Sequence, residues 1–306
     1  MKITVLCGGV GGSKLVLGLH SEFPRDELTI VANTGDDLTI LGLHVSPDVD
    51  TIMYTLAGVS NQETGWGLEF DTFQMLTALS TYGQDSWFRL GDRDMTTHLV
   101  RTHAMANGAS LTDVTAILAR ALGVTRTVLP MTHDVVATKV RTARGWLSFQ
   151  EYFVKYGHAD TPLEVRHEGA EFAAPTPQVI AALTDSDLVV IAPSNPVVSI
   201  GPILALPGIV QALDRSPAPK IAVSPFIDNR SITGPADLLM GAVGREPGST
   251  GLLSLYGSWL DVLIVNDGDI ADVAANKRPI LKATDTLMPD LAAKRRLARF
   301  VVDAVT

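Results

Sequence analysis

The sequence predicts an α/β protein with a Rossmann-like three-layer fold, a mostly parallel central sheet and an inserted helical subdomain. Short, nearly continuous apolar runs alternate with helical stretches, as in sheets that helices cover on both faces. The runs also end in polar or glycine-rich turns, and ligands of such folds bind at the carboxyl ends of strands. The predicted strands are 2–7, 28–32, 187–192, 220–224 and 261–265.

The first predicted strand runs into the stretch CGGVGGSK at 7–14. The dinucleotide fingerprint G-x-G-x-x-G fails here, because Lys14 stands where its third glycine is required. The P-loop pattern also fails, because Ser13 precedes the lysine and Leu15 follows it. The stretch therefore excludes both standard nucleotide motifs in their usual form.

Glycines still let a backbone approach an anion closely, and the helix predicted to follow at 13–20 offers free N–H groups at its start. We therefore expect this loop to bind phosphate, with a tight turn whose glycines only permit close packing as the alternative. The expected phosphate-binding residues are Gly9, Gly11, Gly12, Ser13 and Lys14.

The stretch 51–130 differs from the predicted strands in its pattern of apolar residues, which recur with a helical period. No Pro/Gly/Ser-rich linker divides the 306 residues. We therefore expect a single domain over 1–306 with a helical insertion at about 51–130. The last predicted helix covers about 289–305.

Composition narrows the class of function. The net charge of -9 argues against nucleic acid as a partner, since that usually needs a basic surface. An anionic ligand must then be held by local groups or by a metal.

Cys7 is the only cysteine, which excludes an intrachain disulfide. No signal-peptide pattern and no apolar run of about 18 residues is present, so a cytoplasmic location without membrane contact is expected.

Carboxylates cluster after the second predicted strand, where Asp36 and Asp37 precede Asp48 and Asp50 by a short loop. Oxygen ligands of this type suit Mg²⁺, which takes one or two carboxylates together with phosphate oxygens and water. A metal would also offset the repulsion between these residues and a phosphate. The alternative is structural, because aspartate favours turns and helix N-caps.

Further candidate residues follow in two places. The segment 87–94 combines arginines suited to phosphate or carboxylate contacts with aromatic side chains suited to stacking, and its candidates are Trp87 and Arg89. Polar residues after two later strands are candidates for binding phosphate or a nucleobase, although turn chemistry alone favours them too. They are Ser194, Asn195 and Ser224. His98 and His103, five residues apart, are expected to be structural.

These motifs, taken together and in order, resemble the 2-phospholactate transferase family (CofD, called FbiA in actinobacteria). The stretches that carry the resemblance are GGVGG at 8–12, NTGDD at 33–37, SPDVDT at 46–51, YTLAG at 54–58, WFRLGDRD at 87–94 and APSNP at 192–196. The resemblance covers residues 1 to about 270.

The resemblance implies that a phospholactyl or phosphoenolpyruvyl group passes from its guanosine diphosphate adduct to the ribityl hydroxyl of 7,8-didemethyl-8-hydroxy-5-deazariboflavin (Fo). The products would be coenzyme F-420-0, or its dehydro form, and GMP, and the enzyme would be a Mg²⁺-dependent homodimer. It further implies that Asp36 and Asp50 act in catalysis and bind the metal. Asp50 and Arg89 would contact Fo, with Trp87 shaping that pocket. The donor would lie along the opening loop at 7–14 and along Ser194, Asn195 and Ser224.

Two alternatives remain at this point. A YvcK-like regulatory protein shares the predicted fold and binds a nucleotide sugar without group transfer, but the Asp-Val-Asp-Thr and Leu-Gly-Asp-Arg-Asp stretches favour the transferase. An NAD(P)-dependent oxidoreductase is disfavoured, because the third glycine is missing and Asn33 stands where an acidic residue is expected after the second strand.

Overall fold

The computed structural model describes residues 1–269 and 279–305. Its strands, in chain order, are β1 Lys2–Cys7, β2 Glu27–Ala32, β3 Leu38–Ile40, β4 Leu43–Val45, β5 Thr127–Pro130, β6 Ala137–Thr142, β7 Gly145–Ser148, β8 Glu164–Glu168, β9 Leu188–Ile191, β10 Lys220–Val223, β11 Phe226–Ile227, β12 Arg230–Ser231, β13 Val262–Val265 and β14 Ile280–Ala283.

Its α-helices are α1 Gly9–Glu22, α2 Pro47–Ala57, α3 Gln74–Thr81, α4 Asp94–Ala106, α5 Leu111–Ala121, α6 Pro177–Thr184, α7 Gly201–Ala205, α8 Ile209–Arg215, α9 Ala236–Ala242, α10 Ser249–Tyr256 and α11 Leu291–Asp303. Two π-helical turns cover Glu151–Lys155 and Pro196–Ile200, and a 3₁₀ turn covers Gly257–Trp259.

Seven strands form one parallel sheet in the order β14-β13-β10-β9-β1-β2-β5. The prediction of an α/β fold with a central, mostly parallel sheet is confirmed, and all five predicted strands belong to this sheet. Separate antiparallel pairs join β3 to β4 and β11 to β12, and β6 pairs with both β7 and β8.

Apolar side chains fill both faces of the sheet. On one face α1, α2, α5 and α11 pack against strand residues such as Val5 and Ile30. On the other face α6 to α10 pack against residues such as Leu6 and Val189. Neighbouring residues of one strand thus enter different cores, which explains why the strands read as continuous apolar runs.

The order of strands changes direction at β1. The chain moves from β1 to β2 and β5 on one side, and later from β9 to β10, β13 and β14 on the other. Parallel sheets bind ligands at such a switch point, beyond the carboxyl ends of the strands. The fold therefore predicts a ligand site at the loops after β1 and β9.

The helices α2 to α5 lie between β2 and β5, where the sequence predicts a helical insertion at about 51–130. The first of them begins at Pro47, and Thr127–Pro130 belongs to the central sheet as its edge strand. The helix predicted at 13–20 begins earlier, at Gly9, so the glycine-rich stretch is itself the first turn of α1.

No single helix of the described residues has both the length and the apolar composition needed to cross a membrane. Pro196–Ala205 and Ile209–Arg215 meet those two criteria together, but they bend by 83° at their junction. Ile203 and Ile209 of this pair are fully buried in the core beside the sheet.

One partly buried histidine gives the fold a pH dependence. His167 of β8 lies against Gly201 of α7, and burial lowers the pKa of its imidazole to about 4. An unfolded histidine has a pKa of about 6.5, so the unfolded chain takes up the proton first as the pH falls. This contribution to stability is complete above about pH 6.5 and is lost on going down to about pH 4.

We therefore expect the free energy of unfolding to fall less steeply between pH 7 and pH 4.5 in His167→Asn than in the wild type. The difference is at most about 3 kcal/mol. Urea unfolding at each pH measures it. The exposed His133, changed to Asn in the same way, serves as the control. Parallel pH profiles for wild type and His167→Asn would contradict the assignment.

Candidate active site

A cavity of about 550 Å³ opens at the carboxyl ends of β1, β9 and β10. Most of the residues predicted from the sequence line it. They are Gly9, Gly11, Lys14, Asp36, Asp50, Arg89, Ser194, Asn195 and Ser224. The loops after distant strands thus meet at one place, the switch point of the sheet.

Three predicted residues lie outside this lining. Gly12 is buried, and a Cβ there would lie 2.3 Å from Ser194 Oγ. Ser13 is buried too, and its hydroxyl donates to the Val10 carbonyl at 2.9 Å. Trp87 packs edge-on against Phe88, and it is Phe88 that faces the cavity.

The start of α1 is packed closely against two neighbours. Gly9 N–H donates to Asp48 Oδ1 at 2.7 Å, and a Cβ on Gly8 would lie only 2.3 Å from Asp48 Oδ2. A Cβ on Gly11 would lie 2.5 Å from the Pro193 carbonyl oxygen. The glycines therefore permit close packing, and the carboxylate of Asp48 occupies the positive end of the helix.

Asp36 and Asp48 are held together by one amide. Asn33 Nδ2 donates to Asp36 Oδ1 at 3.1 Å and to Asp48 Oδ2 at 2.9 Å. Gln150 Nε2 donates to the other oxygen of Asp36 at 3.0 Å. The orientation of Asn33 is fixed in turn, because its Oδ1 accepts from Gly35 N–H at 2.8 Å. We call Asp36 and Asp48 the acidic pair.

Both members of the acidic pair are buried and line the cavity. Burial raises the pKa of Asp36 well above its usual range, and the nearby Asp48 and Asp37 add to the effect. Burial also raises the pKa of Asp48 to about 6, although hydrogen bonds from Asn33 and Gly9 oppose the shift. The raised pKa values mean that negative charge on these two buried carboxylates is unfavourable unless a cation offsets it.

The acidic pair fits a magnesium ion. Mg²⁺ usually binds through one or two carboxylates, and substrate phosphates and water complete its coordination. Among residues 1–269 and 279–305 no group of three or more histidine, cysteine, aspartate or glutamate side chains is suited to hold a metal by itself. Asp36 and Asp48 offer carboxylate oxygens of the kind that Mg²⁺ accepts, and the metal itself stays a prediction.

Asp50 stands apart from the acidic pair, because a buried arginine holds it. Arg101 is wholly buried, and its guanidinium donates to both carboxylate oxygens of Asp50, with Nη1 at 3.0 Å from Oδ2. The same Nη1 lies 3.2 Å from His98 Nδ1. Such a paired guanidinium fixes the direction of a carboxylate. The metal-binding role expected for Asp50 stays a prediction.

His98 extends this contact to a second carboxylate. Its Nε2 lies 3.4 Å from Asp94 Oδ1, and Tyr54 Oη donates to the same oxygen at 2.7 Å. His98, Asp94 and Tyr54 all line the cavity beside Asp50. The histidine that the sequence assigns to a structural role is therefore part of the cavity wall.

Asp37, the remaining carboxylate of this region, is not among the lining residues. Ser46 Oγ donates to its Oδ2 at 2.7 Å, and His44 Nε2 lies 3.0 Å from the same atom. Asp37 thus fixes the turn that precedes α2. This is the structural role that the sequence leaves open for it.

Polar side chains after β9 and β10 form hydrogen bonds that stabilise the loops around them. Ser194 Oγ accepts from Gly8 N–H at 3.1 Å, and Asn195 Oδ1 accepts from Val197 N–H at 3.0 Å. Ser224 Oγ accepts from Phe226 N–H at 3.1 Å. These residues line the cavity, but their hydrogen-bonding oxygens already serve the fold.

Aromatic side chains also line the cavity. Phe88, Phe149, Phe153 and the half-exposed Trp66 line it, next to the exposed Arg89. The guanidinium of Arg89 lies over the ring of Phe73, 4.5 Å from its centre. The lining of the cavity therefore combines acidic residues and glycines with aromatic rings.

Sequence reasoning did not single out Asn33, Arg101 or Gln150. Asn33 lies in the stretch 33–37 together with Asp36 and Asp37. An amide so close to two carboxylates is a signal that could have pointed to it as their hydrogen-bond donor. Arg101 and Gln150 lie 51 and 114 residues from the carboxylates that they contact, and no local pattern indicates such pairs.

Known proteins resemble this chain over its whole length. The family model for 2-phospho-L-lactate transferase CofD matches residues 3–305. A protein named 2-phospho-L-lactate transferase from Methanopyrus kandleri is 43% identical over 309 residues, covering 100% of this chain and 98% of that protein. A protein named phosphoenolpyruvate transferase from Streptomyces coelicolor is 40% identical over 309 residues, covering 98% of this chain and 96% of that protein.

A solved structure shares the fold at low sequence identity. A UPF0052 family protein from Bacillus halodurans superposes with a TM-score of 0.63 and 16% identity, covering 98% of each chain. The family itself rests on the match over residues 3–305 and on relatives that are about 40% identical. This chain belongs to the 2-phospho-L-lactate transferase CofD family.

Proposed function

We propose that this protein transfers a 2-phospholactyl or phosphoenolpyruvyl group from its guanosine diphosphate adduct to the ribityl hydroxyl of Fo. The family supports a transferase of one of these two groups. The observation that carries the proposal is the acidic pair on the wall of a cavity of about 550 Å³ at the switch point of the sheet. Phosphoryl transfer depends on positioning and on offsetting charge, and a metal held by the acidic pair would offset that charge.

The acidic pair would hold Mg²⁺, which when bound offsets the negative charge of the diphosphate. Asp36 and Asp48 supply oxygen ligands, and Asn33 and Gln150 hold those oxygens in place. The first turn of α1 lies beside Asp48, so the donor phosphates would lie along Gly9 and Gly11. Lys14, which also lines the cavity, adds a positive charge on this side.

The reaction needs no covalent intermediate with the enzyme. The ribityl oxygen forms a bond to the phosphorus that carries the three-carbon acid. The bond from this phosphorus to the bridging oxygen breaks, and GMP leaves with the electron pair. The hydroxyl proton passes to a carboxylate, for which we propose Asp50, because it lies on the cavity wall in a direction fixed by Arg101.

The first prediction concerns the products. Purified protein supplied with Fo, Mg²⁺ and either guanosine diphosphate adduct is expected to release GMP and form the phosphodiester of Fo, which chromatography and mass spectrometry detect. The two donors are assayed side by side to decide between phospholactate and phosphoenolpyruvate. Absence of product with both donors, together with a rise in melting temperature on adding a UDP-sugar, would favour the nucleotide-sugar-binding alternative.

The second prediction concerns the metal. Saturating Mg²⁺ at about 100 times its Kd is expected to stabilise the wild type by about 2.7 kcal/mol. Asp36→Asn and Asp48→Asn should lose most of this effect, because each removes a charged ligand. Asp37→Asn is the control, since Asp37 lies partly buried in the same region but bonds to Ser46 and His44. Thermal unfolding with and without Mg²⁺ measures the effect, and undiminished stabilisation of Asp48→Asn would remove that residue from the metal site.

The third prediction concerns Asp50 and Arg101. Arg101→Lys keeps the charge but loses the two-pronged contact, so Asp50 is no longer held in one direction. We expect the KM for Fo to rise at least about tenfold while the KM for the donor changes by less than about twofold.

Arg126→Lys is the matched control, because Arg126 is a partly buried arginine whose contacts include the carbonyls of Asp26 and Phe23, and it does not line the cavity. It should lower stability without changing either KM. An equal rise of both KM values in Arg101→Lys would show that the substitution disturbs the whole cavity rather than the Fo side.

A further inference from the structure

We propose that Asp92 is a positioning residue, which holds Arg89 in place at the cavity by fixing helix α3. Arg89 lines the cavity, whereas Asp92 lies outside its lining. The effect of Asp92 on a bound ligand rests on the proposed function. Its effect on α3 rests on the contacts alone.

Helix α3 gains little support from the core. All eight of its residues are at least partly exposed to solvent. Isolated helices shorter than about 12 residues are marginal in water. Contacts outside the core must therefore decide where α3 lies.

Asp92 caps the start of α3 from 18 residues further along the chain. Its Oδ2 accepts from Gln74 N–H at 3.0 Å, and its Oδ1 accepts from Met75 N–H at 2.9 Å. The Thr72 hydroxyl donates to the same Oδ2, and the Thr72 carbonyl accepts from Asp92 N–H at 2.7 Å. Phe73, the residue before the helix, has no polar side-chain atom to supply such a cap, so Asp92 takes its place.

Asp71 makes the reverse contact and fixes Asp92 in turn. Its Oδ1 accepts from Arg93 N–H at 2.8 Å and its Oδ2 accepts from Asp94 N–H at 2.9 Å, at the start of α4. Each aspartate thus caps the helix that follows the other one. A Cβ on Gly91 would collide with the Asp71 carboxylate, so this close approach needs glycine.

Arg89 contacts α3 at this capped end. Its guanidinium lies over the ring of Phe73, 4.5 Å from the centre, and Phe73 directly precedes Gln74, whose N–H Asp92 binds. A cation over an aromatic face is attracted to it. Asp92 therefore fixes Phe73, and Phe73 fixes the exposed guanidinium beside the cavity.

The first part of the test measures equilibrium binding without turnover. Fo and GDP are titrated separately against the full protein, and the ligand that Arg89→Ala weakens reports on Arg89. We expect Arg89→Ala to weaken one of them at least about tenfold, because a charged contact is lost. Asp92→Asn puts an amide NH₂ against the backbone donors of α3, and it should weaken the same ligand about threefold or more.

The double variant separates positioning from a general loss of structure. In the Arg89→Ala background, Asp92→Asn should change the affinity by less than about twofold, because no guanidinium is left to position. Phe73→Leu keeps the cap but removes the ring. It should weaken the same ligand about threefold while α3 stays as stable as in the wild type.

The second part of the test needs no ligand. Hydrogen exchange followed by mass spectrometry should show amides of 74–81 and 86–90 exchanging about fivefold faster in Asp92→Asn, as the loss of a helix cap predicts. Asp113→Asn is the matched control. Asp113 is an exposed aspartate that accepts from Ser110 N–H at 3.2 Å in the capping box of α5, and it lies outside the cavity lining. This variant should leave α3 and both affinities as in the wild type.

Several results would overturn the proposal. They are wild-type affinity for both ligands in Arg89→Ala or in Asp92→Asn, an undiminished effect of Asp92→Asn in the double variant, unchanged exchange in α3, or the same changes in Asp113→Asn. A wild type that binds neither Fo nor GDP would contradict the proposed function. The exchange of 74–81 and 86–90 would then still decide whether Asp92 fixes α3 and the segment that carries Arg89.

Discussion

The structure depends on how one corner of the sheet accommodates buried carboxylates. Asp36, Asp37, Asp48 and Asp50 are all fully or almost fully buried within a short stretch of chain. Isolated charges of this kind are strongly unfavourable in a protein interior. Each carboxylate therefore has its own partners: two amides for Asp36, a hydroxyl and an imidazole for Asp37, an amide and a helix N-terminus for Asp48, and a guanidinium for Asp50. Among the residues that the structure describes, Asp36 and Asp48 thus have no cationic side chain as a partner, whereas Asp50 is paired with Arg101.

In the proposed function, this division of partners separates two roles. Asp36 and Asp48 would bind the cation, because neutral donors offset only part of their charge. Asp50 would face the acceptor hydroxyl, with the direction of its carboxylate fixed by Arg101. The close approach of the start of α1 to Asp48 also helps to accommodate this buried carboxylate, and it needs glycine, since any side chain on Gly8 would collide with Asp48.

The sequence is sufficient to predict five of the seven strands of the central sheet and most of the candidate residues around the cavity, because strand ends converge in a parallel sheet. The sequence is less able to predict in which direction a side chain points. Trp87 and Phe88 are adjacent aromatics, and only packing decides that Phe88 faces the cavity. The start of α1 at Gly9 goes against the low helix propensity of glycine, and close contacts with Asp48 and Pro193 account for it. Arg101 and Gln150 escape prediction because their partners are distant in sequence and no local period marks such contacts.

The cavity draws its wall from nearly the whole chain, from Gly8 at the first strand to Pro289 before the last helix. The lining residues come from segments that are far apart in sequence, so the cavity takes shape only when these segments pack together. A ligand that binds in the cavity would therefore stabilise all of these segments at once, and not only the loop that it touches.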